Sequence, residues 1–495
     1  MPLLAIDQGT TGTTVLLLDR DGRTLGRATR DFPQHFPRPG WVEHEPEEIW
    51  ASVLAATEAA LAAANLRGTD VEAVGITNQR ETTLLWERTT GRPVHRAIVW
   101  QDRRTAERCA QLRAAGHEAR TREITGLVLD PYFSGTKVAW LLDEVPGARA
   151  RAAAGELSFG TVDSYLVWRL SGGVEHLTDV TNASRTLLMD LTSRTWSDEM
   201  LAMLDVPRQL LPRIVPSAAR VAVTKGFYPL PDGVPISGIA GDQQAALFGQ
   251  ACFAEGDVKC TYGTGAFILL NTGDKPRQSR FGLLSTMAWQ IGDRPTYALE
   301  GASFIAGAAV QWLRDGLGLI KSAGEIEALA RSVETTDGVH FVPALAGLGA
   351  PHWDADARGL ISGLTRGTTA AHLARATLEG IAFGVNDLVR SMADDLGRDL
   401  ERMRVDGGAA ANDLLMQFQS DVSSVSIERP RELESTARGA AMLAGLGAGL
   451  FTSESDVARM APVARTFTPA LPPAERAARL AGWRDALGRA RSVTA

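Results

Sequence analysis

The sequence has little cysteine. Its three, Cys109, Cys252 and Cys260, make neither a disulfide framework nor a metal-ligand spacing, and a reducing cytoplasm is the expectation. No basic segment precedes an apolar one at the start, and Asp7 interrupts the first apolar run, so no secretory leader is expected. Long apolar runs are missing too. Ala440 to Phe451 is apolar but short and glycine-rich. It reads as a buried core helix, since a membrane span needs roughly 20 residues. There is no basic excess: 51 Lys and Arg against 58 Asp and Glu give a net charge of −7, which argues against a nucleic-acid or anionic-membrane surface. Neither a Gly-x-x-x-x-Gly-Lys-Ser/Thr loop nor a well-placed Gly-x-Gly-x-x-Gly occurs, which excludes the two commonest nucleotide folds. No long linker or low-complexity tract divides the chain.

What remains is a globular composition, 45% hydrophobic and 22% charged, over 495 residues. That length calls for two or three domains. Near its midpoint lies Ile236-Ser-Gly-Ile-Ala-Gly-Asp-Gln-Gln-Ala-Ala-Leu-Phe. It reads as a strand that turns through Gly238 and Gly241 into a helix. Such a junction gathers free N–H groups and a positive dipole end, and suits a phosphate. Asp242 at the turn is either a helix cap or a group with chemical work, binding a metal or taking a proton.

The chain opens with a strand at Leu3–Ile6, a polar turn over Asp7–Thr14 and a second strand at Val15–Leu18, followed by a third around Leu25 to Thr29. The turn is an ordinary hairpin or a cradle for an anion. Pro46 to Asn65 is a helix, with Pro46 and two glutamates in its first turn and Ile49, Trp50, Val53, Leu54 and Leu61 on one face. Three polar groups sit at or just past strand ends, where ligands bind in α/β sheets: Arg80-Glu81, Gln101-Asp102 and Arg103-Arg104. Val258 to Thr272 repeats the strand, Gly/Thr turn and strand of the N-terminus, a sign of duplication with a cleft between two halves. A helix over Ser303–Gly316 places Gly307 and Gln311 on one face. A strand at Met403–Asp406 ends in Gly407-Gly408 and leads to a helix from about Asn412.

Two long patterns then resemble the FGGY carbohydrate kinases: Tyr132-Phe-Ser-Gly-Thr-Lys-Val-Ala-Trp-Leu-Leu-Asp-Glu144, and the run from Gly359-Leu-Ile-Ser-Gly-Leu364 to His372-Leu-Ala-Arg-Ala-Thr-Leu-Glu379. The resemblance covers nearly the whole chain. Asn78-Gln-Arg-Glu-Thr82, Ile98-Val-Trp-Gln101, Leu129-Asp-Pro-Tyr-Phe133, Asp242-Gln-Gln244 and Thr261-Tyr-Gly-Thr-Gly-Ala-Phe267 narrow it to members that phosphorylate glycerol. It implies an α/β fold of two ribonuclease-H-like (actin-like ATPase) domains around a deep cleft, divided here as 1–246 on the polyol and phosphate side and 247–495 on the nucleotide side. It implies ATP and Mg²⁺, glycerol as acceptor, no nucleic-acid partner, no membrane insertion, and a homo-oligomer, dimer or tetramer.

Carried over by position, the polyol set is Arg80, Glu81, Tyr132, Asp242 and Gln243, with Trp100 and Phe267 as apolar walls. Asp242 is the general base. The nucleotide set is Thr10, Thr11, Gly12, Thr264, Gly307, Gln311, Gly408 and Asn412, and Asp7 holds Mg²⁺ through water. The chain departs from the family twice. Relatives commonly carry Arg or Lys at the position of Thr14. The segment 227–234 lacks the Gly-x-Arg and the histidine that relatives use for control, so that control is expected to be absent or different. Two alternatives stand beside this reading: a kinase of the same fold acting on a pentulose or another polyol, and a non-catalytic actin-type switch.

Overall fold

The computed structural model describes residues 2–492. Its frame is one sheet of 13 strands. The first half of the chain supplies β1 (Leu3–Gln8), β2 (Gly12–Leu18), β3 (Thr24–Asp31), β4 (Ala73–Asn78), β5 (Ala218–Val223) and β6 (Pro235–Gly241). The second half supplies β7 (Val258–Tyr262), β8 (Ala266–Gly273), β9 (Leu284–Ile291), β10 (Arg294–Ser303), β11 (Arg402–Asp406), β12 (Ser426–Pro430) and β13 (Val463–Phe467). The spatial order is β13-β12-β11-β7-β8-β10-β9-β5-β6-β4-β1-β2-β3.

Strands β1, β2 and β3 form an antiparallel meander, and β4 and β6 run parallel on the other side of β1. Strands β7, β8 and β10 repeat that meander, and β11 and β12 repeat the parallel pair. The duplication expected from the two Gly/Thr turns is therefore present as two five-strand units. They join through β5 and β9, where Ala218 pairs with Ile291.

Alternation along β1 builds the layers, because successive side chains point to opposite faces. Leu4 and Ile6 pack with Val15, Leu17, Ile49 and Val53 on one face. Leu3 and Ala5 pack with Leu16, Leu18, Ala437 and Ala440 on the other. The first face is covered by α1 (Pro46–Ala64), which starts at proline, carries Glu47 and Glu48 in its first turn and ends at Asn65 with φ 53°. Burying Ile49, Val53 and Leu61 there contributes about 1.5–3 kcal/mol each. Thr57, the polar interruption, gives its hydroxyl back to Val53 O at 2.7 Å.

The second face carries α2 (Asp242–Gly249) and α6 (Ser435–Gly447); between them in the chain come α3 (Gly307–Asp315), α4 (Ala370–Leu396) and α5 (Asp413–Ser423). Helices α2 and α6 each follow the last parallel strand of a half, and they cross at glycine. A Cβ on Gly439 would lie 1.8 Å from Ala245 O, so only glycine fits the crossing. Residues 79–217 are largely an insertion after β4 with a core of their own, including Leu85, Ile98, Phe133, Leu141 and Phe159.

Several boundaries differ from the sequence reading. The first turn is only residues 9–11, because Asp7 and Gln8 end β1 while Gly12 to Thr14 begin β2, paired Asp7 with Thr14 and Gln8 with Thr13. Ser303 ends β10, paired with Ala266, and α3 begins only at Gly307. Ala440 to Gly447 is a buried core helix as expected, and no helix among the described residues is long and apolar enough to cross a membrane.

Candidate active site

The row Leu3–Ala5–Asp7 leads from the core to the candidate site. Its first two members lie in the cluster that includes Ala437 and Ala440, and the third, Asp7, is part-exposed. Thr14, directly opposite on β2, is on the same face and shares a 3.0 Å hydrogen bond with Thr29. Thr77, opposite on β4, is also on this face, and its buried hydroxyl has no protein partner. Burial, then the charges of Asp242 and Glu434, push the Asp7 carboxyl up to about 8. A carboxylate disfavoured by two neighbouring anions, beside an unpartnered hydroxyl, suits a hydrated cation. No group of three or more His, Cys, Asp or Glu among the described residues is placed to hold a metal. A divalent ion here would take the rest of its shell from water and phosphate oxygens, as Mg²⁺ does.

Asp242 is the first residue of α2, and Gly241 is the cap position. Gly241, not Asp242, thus holds the cap position. The Asp242 carboxylate accepts from Gln243 N at 2.7 Å and lies 3.1 Å from Arg80 Nε. Its side chain is 32% exposed, whereas those of Arg80, Glu81, Arg185 and Glu300 are at most 2%. Asp242 is the most exposed member of this charged cluster.

Arg80 and Glu81 stand just past β4. Arg80 donates from Nη1 to Glu300 Oε2 at 2.5 Å and to Gln244 Oε1 at 3.1 Å, and from Nη2 to Tyr132 OH at 3.4 Å. Glu81 takes φ 61°, a strained value for a side-chain-bearing residue, and accepts from Arg185 Nε at 2.6 Å. Burial raises the Glu81 carboxyl, against the pull of Arg80 and Arg185. Removing one partner from such a buried set is costly, about 3–5 kcal/mol. Tyr132 stacks edge-on against Trp100, ring centroids 5.6 Å apart. Trp100 Nε1 in turn donates to Thr10 Oγ1 at 2.9 Å. That bond links an expected polyol wall to the expected phosphate turn.

Gln243 accepts from Lys259 Nζ, which also donates to Thr261 Oγ1 at 3.0 Å. Thr261 pairs with Phe267, so Phe267 shares the sheet face of Lys259 and Thr261. Thr11 is exposed at the first turn, and Gly12 begins β2. In the second turn, Thr264 O accepts from Ala306 N and Ala308 N at 2.8 and 3.0 Å, and Gly263 O from Gly307 N at 2.9 Å. A Cβ on Gly307 would approach Gly263 O to 2.6 Å, so this glycine has a packing reason of its own. Gln311 is exposed on α3. Gly408 is exposed, while its neighbour Gly407 has φ 85° and seats against Tyr262 O. Asn412 Oδ1 caps α5 through Leu415 N at 2.9 Å.

The other two polar pairs at strand ends are structural. Asp102 is buried, accepts from Val42 N at 2.7 Å and pairs with Arg104, which lies over the Trp41 ring at 3.8 Å. Gln101 is exposed. Glu300, Arg185, Gln244 and Lys259 were not expected. For Glu300 and Lys259 the one sequence signal is a charge inside an otherwise apolar strand, as in Tyr297-Ala-Leu-Glu300-Gly-Ala and Val258-Lys-Cys; Arg185 stands in a turn, and Gln244 is marked only by the Asp242-Gln-Gln244 pattern.

Comparison with known proteins agrees with this architecture. The N-terminal domain of the FGGY family of carbohydrate kinases matches residues 2–249, and its C-terminal domain matches residues 258–448. The chain belongs to the FGGY family, a family of kinases, and has its two-domain actin-like α/β fold. Among individual relatives, it is 58% identical over 490 residues to a glycerol kinase of Myxococcus xanthus, covering 99% of both chains. It is similar to the crystal structure of Plasmodium falciparum glycerol kinase with ADP, at 36% identity and a TM-score of 0.92, over 99% of this chain and 98% of the other. A xylulose kinase from Rhodospirillum rubrum shares the fold at 23% identity and a TM-score of 0.86, over 99% and 98% of the two chains.

Proposed function

We propose that this chain transfers the γ-phosphoryl group of ATP to a terminal hydroxyl of glycerol, giving glycerol 3-phosphate and ADP. The observation that carries the reading is the placement of Asp242. It opens α2 with a part-exposed carboxylate 3.1 Å from Arg80, in a cluster whose other charges are buried. Full-length identity to glycerol kinases supports the choice of acceptor.

Arg80, Glu81 and Tyr132 would hold the polyol oxygens, and Gln243 would line the site. Trp100 and Phe267 would cover the C–H side and limit the pocket to three carbons. Paired polar groups of this kind discriminate strongly, because an acceptor lacking a hydroxyl leaves one of them unpaired. As the acceptor oxygen bonds to phosphorus and the bond to ADP breaks, Asp242 takes the hydroxyl proton. Late proton transfer suffices for a weak base when the transition state is loose. Thr10, Thr11, Gly12 and Thr264 would meet the phosphates, with Gly307 and Gln311 on α3. Gly408 and the free amide of Asn412 would meet the base and ribose. Asp7 would hold Mg²⁺ through water, and the bound metal would supply charge neutralisation near the phosphates. In this reading residues 1–246 supply the polyol, metal and proton chemistry and residues 247–495 most of the nucleotide contacts.

The test is Asp242→Asn. Turnover should fall on the order of 10²-fold or more, while calorimetry shows glycerol still bound. A near-normal kcat would leave Asp242 with a structural role only.

A further inference from the structure

Behind the polyol set, four buried side chains form a closed ring of alternating charge that crosses between the halves. Glu300, on β10 of the second half, accepts from Arg80 at 2.5 and 3.1 Å and from Arg185 Nη2 at 2.9 Å. Arg185 donates onward from Nε to Glu81 at 2.6 Å, and Arg80 Nε lies 3.8 Å from Glu81. Arg80, Glu81 and Arg185 belong to the first half, and Glu300 stands 220 residues from Arg80 in sequence. We infer that Glu300 and Arg185 are positioning residues for glycerol recognition: Glu300 aims the Arg80 guanidinium from the second half, and Arg185 aims the Glu81 carboxylate. The inference rests on the reading of Arg80 and Glu81 as polyol contacts.

The geometry argues for aim rather than for bulk stability alone. An arginine has a flexible stem, so its fork faces one direction only if something holds it. Glu300 holds both terminal nitrogens, a bidentate grip that fixes the guanidinium plane and turns Nε toward Asp242. Arg185 occupies Glu81 Oε1, and among the described residues no donor is hydrogen-bonded to Oε2. Ser134 and Thr83 hydroxyls hold the Glu81 carbonyl at 2.9 and 3.0 Å. Burial alone would raise the Glu300 carboxyl, but Arg185 and Arg80 outweigh it and hold it at about 2, ionised throughout any working pH. Two cations and two anions balance, so the ring carries no net charge of its own. It also makes the aim of a first-half residue depend on where the second half sits.

The experiment measures kcat and KM for glycerol, for propane-1,2-diol (one hydroxyl fewer) and for ATP, with Tm alongside, in wild type, Glu300→Gln, Glu300→Asp and Arg185→Lys. Misplacement of a binding group by about 1 Å costs up to roughly 10²-fold. Glu300→Gln should raise the KM for glycerol about tenfold or more and leave that for ATP within about threefold. The preference for glycerol over the diol should shrink, because the mis-aimed Arg80 serves both equally poorly. Glu300→Asp should recover part of the preference, and Arg185→Lys should shift it in the same direction as Glu300→Gln. If Glu300→Gln does not fold, the same shift, smaller, is expected in Glu300→Asp. Folded variants with a lower Tm but wild-type KM and wild-type preference would overturn the inference and leave a strut. Wild-type protein inactive on glycerol would instead overturn the polyol reading beneath it.

Discussion

The first turn of the chain follows Asp7-Gln8-Gly9-Thr10, and its counterpart in the second half follows Thr261-Tyr262-Gly263-Thr264. Helix α2 opens at Asp242, and its counterpart α6 opens at Ser435. At both places the first half has a carboxylate where the second has a hydroxyl. Strand pairing, turn placement and the α2–α6 crossing are otherwise alike. One scaffold thus separates two tasks. The two carboxylates proposed for the metal and the proton, Asp7 and Asp242, lie in the first half, while Glu434 at the start of α6 adds its charge beside Asp7 from the second. The second half contributes hydroxyls and exposed backbone, and sends Glu300 and Lys259 across to brace Arg80 and Gln243.

The sharpest way to break that division is at Asp7. Its folded value, about 8, lies above the ordinary carboxylate range. For a group raised on folding, the stability it contributes is full below the unfolded value and is lost as pH rises through the folded one. The ligand-free protein should therefore lose Tm between about pH 4 and pH 8, and Mg²⁺ with ADP should restore most of it at the upper end. Asp7→Asn should flatten the profile in calorimetry and raise the Mg²⁺ needed for half-maximal rate about tenfold or more. Adding Thr261→Asp to this variant should not rescue it. Rescue would show that the halves are interchangeable and the division false.

A smaller effect is expected at Trp100, where the proposed polyol wall touches the proposed phosphate turn. Trp100→Ala should raise KM for both glycerol and ATP and narrow the preference for glycerol over five-carbon sugars. Trp100→Phe keeps the wall and loses only the N–H donor to Thr10. It should raise the KM for ATP about fivefold or less, the worth of one neutral hydrogen bond. A Trp100→Ala variant with an unchanged KM for ATP would separate the two sites.

The smallest effect is expected at Thr14, where relatives commonly carry a cation. Thr14 faces Asp7 across β1 and β2. An arginine there would gain about 4 kcal/mol from an anion at 4 Å for an effective dielectric near 20, and about 1 in water, before desolvation takes much of it back. Thr14→Arg should lower the KM for ATP about two- to fivefold, with little change in kcat, and should draw the Asp7 ionisation downward. A folded variant with a raised KM for ATP would mean that the new cation pairs with Asp7 at the expense of the metal.

Much of this was legible in the sequence because it is local. The strand–turn–strand repeat, the cap and stripe of α1, and Arg80-Glu81 past a strand end all lie within short windows. The differences are local too: Gly12 to Thr14 suggest a turn because small polar residues serve turns and strand ends alike, and Ser303 suggests a helix because nothing in its neighbours shows its pairing with Ala266. Glu300, Arg185 and Lys259 escaped for a different reason. Each is meaningful only through partners far away in sequence, and neither a lone charge in an apolar strand, as at Glu300 and Lys259, nor one in a turn, as at Arg185, says which partner it meets. The same limit applied to Asp102, whose place at a strand end looked like a ligand position until its contacts with Val42 and Arg104 were visible.

That the proposed polyol site holds a three-carbon acceptor is tested most directly by ADP release from the purified chain at saturating ATP and Mg²⁺ across glycerol, dihydroxyacetone, erythritol, xylulose and ribulose. Glycerol should give the highest kcat/KM, ahead of every five-carbon substrate. A higher kcat/KM for xylulose or ribulose would contradict the assignment and leave only the fold and the family standing.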